Sequence, residues 1–302
     1  MKEKNKYLFR EMRKNTDKYL MLLPFLILFT VFTILPVLAS IVLSFTDFNM
    51  LQMPTFNGLD NYVRMFMDDE VIGTAARNTL VFAAITGPAS YALCLLFAWM
   101  INEFGHTLRT ILTFIFYIPS ISGAMFTIWA YIFAGDPSGL MNSILMRLGV
   151  IDSAILWLSD AKYIMMILII IQLWTSLGTS FLSFIAGFQG IDRAMYEAGA
   201  IDGVRTRFQE FRLITLPAMG PQLMFAAVMQ IGASFAAGGI SVALLGNPST
   251  DYAGATITTH LSDVGVQRYE MGYASAIAVL LFLVMVLTNY GISKLLNKYT
   301  DM

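Results

Sequence analysis

Six stretches of this 302-residue chain contain no Asp, Glu, Lys or Arg. They cover residues 19–46, 78–102, 110–135, 163–191, 213–250 and 271–293, with lengths of 28, 25, 26, 29, 38 and 23 residues. A helix needs about 20 apolar residues to cross a bilayer, so each stretch can span once. Hydrocarbon offers no partner to a free backbone amide, which forces the spans to be helices. The expected fold is therefore an all-α integral membrane protein with six transmembrane helices. The fifth stretch is long enough for two spans, but Gly246, Asn247, Pro248 and Ser249 end its apolar part and place its helix near residues 221–245. Charged residues make up 13% of the chain. Soluble domains carry about 25%, so lipid must be the solvent for much of this surface.

The flanking charges set the orientation. Lys and Arg number 7 before the first span, 1 between the second and third, 4 between the fourth and fifth, and 2 after the sixth. The opposite side carries five: Arg64, Arg77, Arg147, Lys162 and Arg268. The excess of cations marks the cytoplasmic face, so both termini are expected there. Residues 1–18 read as a basic cytoplasmic tail lying against anionic lipid headgroups, and 19–302 as the membrane domain. The first span is too long for a signal-peptide core and reads as a retained helix.

Several classes are excluded. A net charge of −1 does not suit a nucleic-acid binder. Cys94 has no partner cysteine, and it reads as a small buried residue. His106 and His260 lack metal-ligand spacing. No Gly-x-x-x-x-Gly-Lys-Ser/Thr loop is present to hold ATP phosphates. The absence of ionisable residues within the spans argues against a carrier that couples transport to protons. A stand-alone secondary carrier or channel stays open as the alternative function. A membrane enzyme ranks lower, because no nucleophile–base pair or paired carboxylate lies at membrane depth.

The cytoplasmic segment 188–220 is the most informative. Asp192 can cap a short helix and Gly203 can end it. Within that helix Ala194, Ala198 and Ile201 share one face, small enough for close approach by a partner. Glu197 lies beside that face, free to meet a cation. A second amphipathic turn over 208–216 leads to Pro217, which marks the start of the fifth span. Spacing alone also allows a solvated loop with ordinary helix punctuation.

The residues Glu197-Ala198-Gly199, Asp202-Gly203 and Ile214-Thr215-Leu216-Pro217 resemble the permease signature of ATP-binding-cassette importers. Ser44-Phe-Thr-Asp, Gly58-Leu-Asp-Asn-Tyr, Arg77-Asn-Thr-Leu and Met271-Gly-Tyr-Ala-Ser-Ala extend the resemblance, in order, over nearly the whole chain. They point to the carbohydrate-uptake branch, with permeases paired as for maltose or glycerol-phosphate. The resemblance implies a type I (MetI-like) importer permease without catalytic activity. It would work with a second permease subunit, an ATPase dimer that binds ATP and Mg, and an extracellular sugar-binding protein. It also implies that Glu197, Ala198, Gly199, Asp202, Gly203 and Pro217 form the surface that docks on the ATPase, with Glu197 facing an arginine there. Two features depart from the pattern. Gly199 stands where a second Ala is usual, and the stretch from Gly203 to Pro217 is one residue longer than the common spacing.

A sugar path needs hydroxyls, amides and aromatic faces rather than charge. Gln172, Thr175 and Thr179 follow at i, i+3 and i+7, which reads as one continuous polar stripe on the fourth span. Gln230, Ser234 and Ser241 follow at i, i+4 and i+11 on the fifth. On the maltose-type pattern Gln172, Thr175, Thr179, Gln230 and Ser234 fall at sugar-lining positions. The same residues also suit hydrogen bonding between packed helices.

Overall fold

The computed structural model of the chain describes residues 14–122 and 125–300, without the side chains of 297–300. Most of the basic tail thus lies outside the described residues. Among the described residues five helices are long and apolar enough to cross a membrane, and six if one bent pair counts as a span.

The first span, α1 (Thr16–Leu43), widens into π geometry over Thr30–Ile34, two residues before Pro36. Proline gives no N–H to the carbonyl four residues back, and a wider turn accommodates the loss. None of its described residues is buried. Its second half, Leu35–Leu43, packs on the last helix.

Beyond α1, the short interfacial helix α2 (Asp60–Met67) leads to α3 (Glu70–Asn102). At 33 residues α3 is about 50 Å long. It begins eight residues ahead of the charge-free stretch, because Asp69 caps it by accepting from Val71 N and Ile72 N at 2.9 and 3.0 Å. The third stretch forms two helices, α4 (His106–Ile121) and α5 (Met125–Ile132), inclined at 84°. A single straight helix had been expected there. After α6 (Leu140–Arg147), the fourth stretch divides into α7 (Ala161–Thr175) and α8 (Thr179–Gly190).

The loop after the fourth span carries α9 (Arg193–Ile201) and α10 (Arg207–Glu210), a π-turn at Phe211–Thr215, and α11 (Leu216–Ala218). The fifth span follows as α12 (Gly220–Phe235) and α13 (Gly238–Leu245), close to the expected 221–245. A short outer helix, α14 (Ile257–Ser262), precedes α15 (Met271–Thr300).

The centre is a mutual packing of α3, α8 and α12. Toward the end of the bundle that carries the loop 188–220 its core is Cys94, Ala98, Phe181, Phe184, Met219 and Ala226. Toward the other end Phe82, Phe133, Trp157, Ile164, Ile167 and Ile171 form a second core.

Asparagine amides staple the outer loops. Asn61 Nδ2 donates to the Ser44 and Thr46 carbonyls at 2.9 and 2.8 Å. Asn142 is fully buried; it donates to the carbonyls of Ala134, Asp136 and Ile155 and accepts from Ile155 N and Trp157 Nε1. Asn78 donates to the carbonyls of Tyr252, Ala253 and Ala255. Each meets the rule that buried backbone groups need partners where no regular structure supplies them.

Candidate coupling site and transport path

Helix α9 has the start and stop that its residues predict. Asp192 accepts from Ala194 N at 3.0 Å. At the other end Gly203 sits at φ +94°, with Gly203 N on the Ala200 carbonyl and Val204 N on the Gly199 carbonyl at 3.3 and 2.9 Å. That double closure needs a left-handed residue, the conformation glycine adopts without strain.

The helix has two distinct faces. Ala194, Ala198 and Ile201 are exposed, and Ile201 presents 88% of its surface. An apolar side chain held so far out on a capped helix suits a partner surface. Glu197 is not free as expected. Its Oε1 lies 3.3 Å from Arg193 Nε, with both side chains mostly exposed. Such an i, i+4 pair contributes only about 0.3–0.5 kcal/mol, so a partner's cation can replace Arg193 readily.

The opposite face grips the rest of the loop. Tyr196 Oη and Thr215 Oγ1 are 2.9 Å apart, and Gly199 lies beneath Ile214. Here the predicted amphipathic turn over 208–216 differs in form. It starts with a capping box between Thr206 and Gln209, then widens into the π-turn two residues before Pro217. Pro217 lies in α11, and α12 begins after it. Arg207 fastens the loop to the inner end of α3, 2.9 Å from Glu210 and 3.7 Å from Glu103.

The structure divides the predicted path residues. Gln172, Thr175 and Thr179 do not form a continuous stripe, because the helix breaks over residues 176–178. Gly178 lets α8 come close to Ser120 at the break, where a Cβ would lie 3.1 Å from Ser120 Cβ. Gln172 is buried, Thr175 half-buried and Thr179 exposed. Gln230 and Ser234 are 4% and 2% exposed. Gln230 Nε2 donates to the Ser176 carbonyl at 3.3 Å, and Cys94 Sγ reaches the same oxygen at 3.3 Å. At the break that carbonyl has no α-helical partner four residues on; Gly178 N donates to it at 2.8 Å, and these two groups add longer contacts. Ser234 Oγ donates to the Gln230 carbonyl one turn back at 2.7 Å. Ser241 sits beyond a second break, on α13, and bonds to the Gly254 carbonyl.

Two cavities flank these residues. One of about 430 Å³ between α3, α12 and α15 includes Gln230 and Ser234, but its walls are otherwise mostly apolar. The other, about 320 Å³, lies between α4 and α8 and is lined by Thr110, Thr113, Tyr117, Leu182, Ile185 and Gln189, with His106 and Arg109.

Sequence reasoning missed a buried cluster at the outer ends of the spans. Asp69 Oδ2 lies 2.7 Å from His260 Nε2 and accepts from Tyr273 Oη at 2.5 Å. Arg64 pairs with Glu270 at 2.6 Å and stacks 4.3 Å above the Tyr273 ring. Burial alone would raise the Asp69 carboxyl. The hydrogen bonds from Tyr273 and His260, and then the His260 charge, outweigh it and hold the group below the usual carboxylate value. These residues are far apart in sequence, so only the fold brings them together.

The chain is a multi-pass helical bundle with a capped helix held against the start of its fifth span, the architecture of a membrane permease. The profile for the binding-protein-dependent transport system inner membrane component matches residues 95–300, and the chain belongs to that family. It is 33% identical to the probable ABC transporter permease protein YesP of Bacillus subtilis over 285 residues, 92% of this chain and 90% of YesP. It is 29% identical to the arabinooligosaccharides transport system permease protein AraP of the same organism over 278 residues, 91% of this chain and 87% of AraP. Among solved structures, a chain of the bacterial alginate ABC transporter in complex with its pentasaccharide-bound periplasmic protein superposes with a TM-score of 0.78. That match covers 98% of this chain and 99% of the other at 24% identity, a likeness of fold.

Proposed function

We propose that this chain is a non-catalytic permease subunit of a binding-protein-dependent ABC importer that carries an oligosaccharide inward. Family membership over residues 95–300, together with the exposed face of α9, carries the reading. The sugar class is supported by relatives named for arabinooligosaccharide, lactose and diacetylchitobiose transport. In this reading both termini are cytoplasmic. A second permease completes the pore, an ATPase dimer binds ATP and Mg, and an extracellular binding protein delivers the sugar.

The docking surface is Ala194, Ala198 and Ile201 with Glu197, and Asp202 and Gly203 set its end. Glu197 exchanges Arg193 for a cation of the ATPase. Closure of the ATPase dimer then rocks the two permeases between inward-open and outward-open states.

For the path, the exposed Thr179 and half-buried Thr175 contact the cargo. Gln172, Gln230 and Ser234 hold the wall behind them. The cavity between α4 and α8, where Thr110, Thr113 and Gln189 are set among apolar residues, forms the inner vestibule.

Glu197→Lys tests the docking. Sugar-stimulated ATPase activity in the reconstituted complex should fall about tenfold, the cost of exchanging a charge-assisted bond for a like-charge contact. Unchanged stimulation would exclude Glu197 from the interface.

A further inference from the structure

Between α1 and α2 the chain makes a hairpin whose tip carries no charge. From Phe48 to Leu59 there is no Asp, Glu, Lys or Arg. Leu51, Met53 and Phe56 stand 88%, 88% and 81% exposed. Large apolar side chains gathered in the open mark a surface that another phase or partner covers.

The hairpin holds its own shape. Asp47 N donates to the Thr55 carbonyl at 3.1 Å, and Asn57 N to the Phe45 carbonyl at 3.0 Å. Thr55 N donates to Asp47 Oδ1 at 2.9 Å, and Leu51 N and Gln52 N both donate to Asn49 Oδ1 at 3.1 Å. These amides need no water, so the tip can present its side chains to an apolar medium.

Two spans fix its level. The hairpin follows the end of α1 at Leu43, and Gly272 N, in the first turn of α15, donates to the Phe48 carbonyl at 2.8 Å. The first charges beyond these two spans are Asp47 and Glu270. Both helices therefore leave the apolar layer at the base of the hairpin. Beside it, α2 turns Asn61 and Tyr62 to the base, where they bond to Ser44 and Thr46. Its other face carries Val63, Phe66 and Met67 at i, i+3 and i+4, all exposed.

We propose that the hairpin tip and the free face of α2 form a lipid anchor. Leu51, Met53, Phe56, Phe66 and Met67 enter the acyl boundary of the leaflet opposite the loop 188–220, and the hairpin backbone lies at headgroup level. The uncharged tip beside two span ends favours lipid over a water-soluble protein, which would leave these side chains in water whenever it departed. The anchor sets the depth of α1, which buries none of its own described side chains. It goes beyond the importer reading, since neither ATP nor cargo enters the argument.

The test places one polarity-sensitive fluorophore at the tip. Cys94 is buried, so Met53→Cys and, separately, Leu51→Cys take the label. The labelled chain is reconstituted with its co-purified partners in phosphatidylcholine vesicles. Emission should shift to the blue and lose intensity when nitroxide-bearing lipid replaces part of the bilayer. It should keep its intensity with iodide in the water, whether or not the binding protein is added. Water-like emission that iodide quenches would overturn the anchor. A label shielded from both quenchers would overturn it too, and would give this face to a protein partner. Failure of the importer reading would show as uptake without ATP and would leave the quenching pattern unchanged.

Discussion

At the scale of single residues, a polar side chain inside a membrane first answers to the backbone around it. The resemblance places Gln230 on a sugar path, yet its amide donates to the Ser176 carbonyl at the α7–α8 break, beside Gly178 N. Spacing reveals polarity along a helix but not the break on a neighbouring helix that consumes it. Thr179 begins α8 and keeps its exposed surface. The two positions should part under mutation. Gln230→Ala should lower the melting temperature of the detergent-solubilised chain, by the roughly 0.5–1.5 kcal/mol of one hydrogen bond, since the carbonyl keeps Gly178 N. Thr179→Ala should leave melting unchanged and raise the sugar concentration for half-maximal uptake. Equal melting of the two variants would return Gln230 to the path.

Asp69 supplies a second residue-scale prediction. Its folded-state pKa is depressed, so its contribution is complete above the ordinary carboxylate value and is lost as pH falls through the folded value. Thermal stability should hold at neutral pH and decline below about pH 4. Asp69→Asn should flatten that decline, and an acid limb identical in both proteins would remove Asp69 from the account.

At the scale of elements, the number and order of the spans were legible because lipid imposes a length and forbids charge. Their interruptions were less so. Two of the π-turns end two residues before Pro36 and Pro217, a signal present in the sequence though not one that hydropathy registers, while a third, Asp263–Gln267, has no proline after it. At the 176–178 break Gly178 packs against the Ser120 side chain, a neighbour that only the fold supplies. The motifs Ser44-Phe-Thr-Asp, Gly58-Leu-Asp-Asn-Tyr and Met271-Gly-Tyr were noticed as resemblance, and the fold gives them a physical reason. Asn61 bonds to the carbonyls of Ser44 and Thr46, Tyr62 Oη donates to Ser44, and Gly272 N donates to the Phe48 carbonyl at 2.8 Å. A side chain at Gly272 would run into the Thr46 carbonyl. The loop between α5 and α7 depends on Asn142 in the same manner. Asn142→Ala should cost about 3 kcal/mol, since it orphans several buried groups at once, and its first sign should be proteolysis within residues 136–160. Full protease resistance in that variant would mean the loop is held by packing alone.

At the scale of the whole molecule, the chain is built to be incomplete. Among the described residues α1 buries none of its side chains, and α9 holds an isoleucine almost fully in the open. Surfaces of that kind on a chain of this family suit lipid on one side and partner subunits on the other. The docking helix was readable down to its cap and its terminal glycine, because those signals are local. Its attachment through Tyr196, Thr215 and Ile214 was not, since it depends on a turn whose width only the fold sets. The most direct measurement of the central claim is uptake of labelled oligosaccharide into proteoliposomes holding this chain with its co-purified partners, with and without ATP on the cytoplasmic side. Uptake that needs ATP, the binding protein and the ATPase subunits is the predicted result. Uptake by the isolated chain without ATP would contradict it and make the protein a self-sufficient carrier.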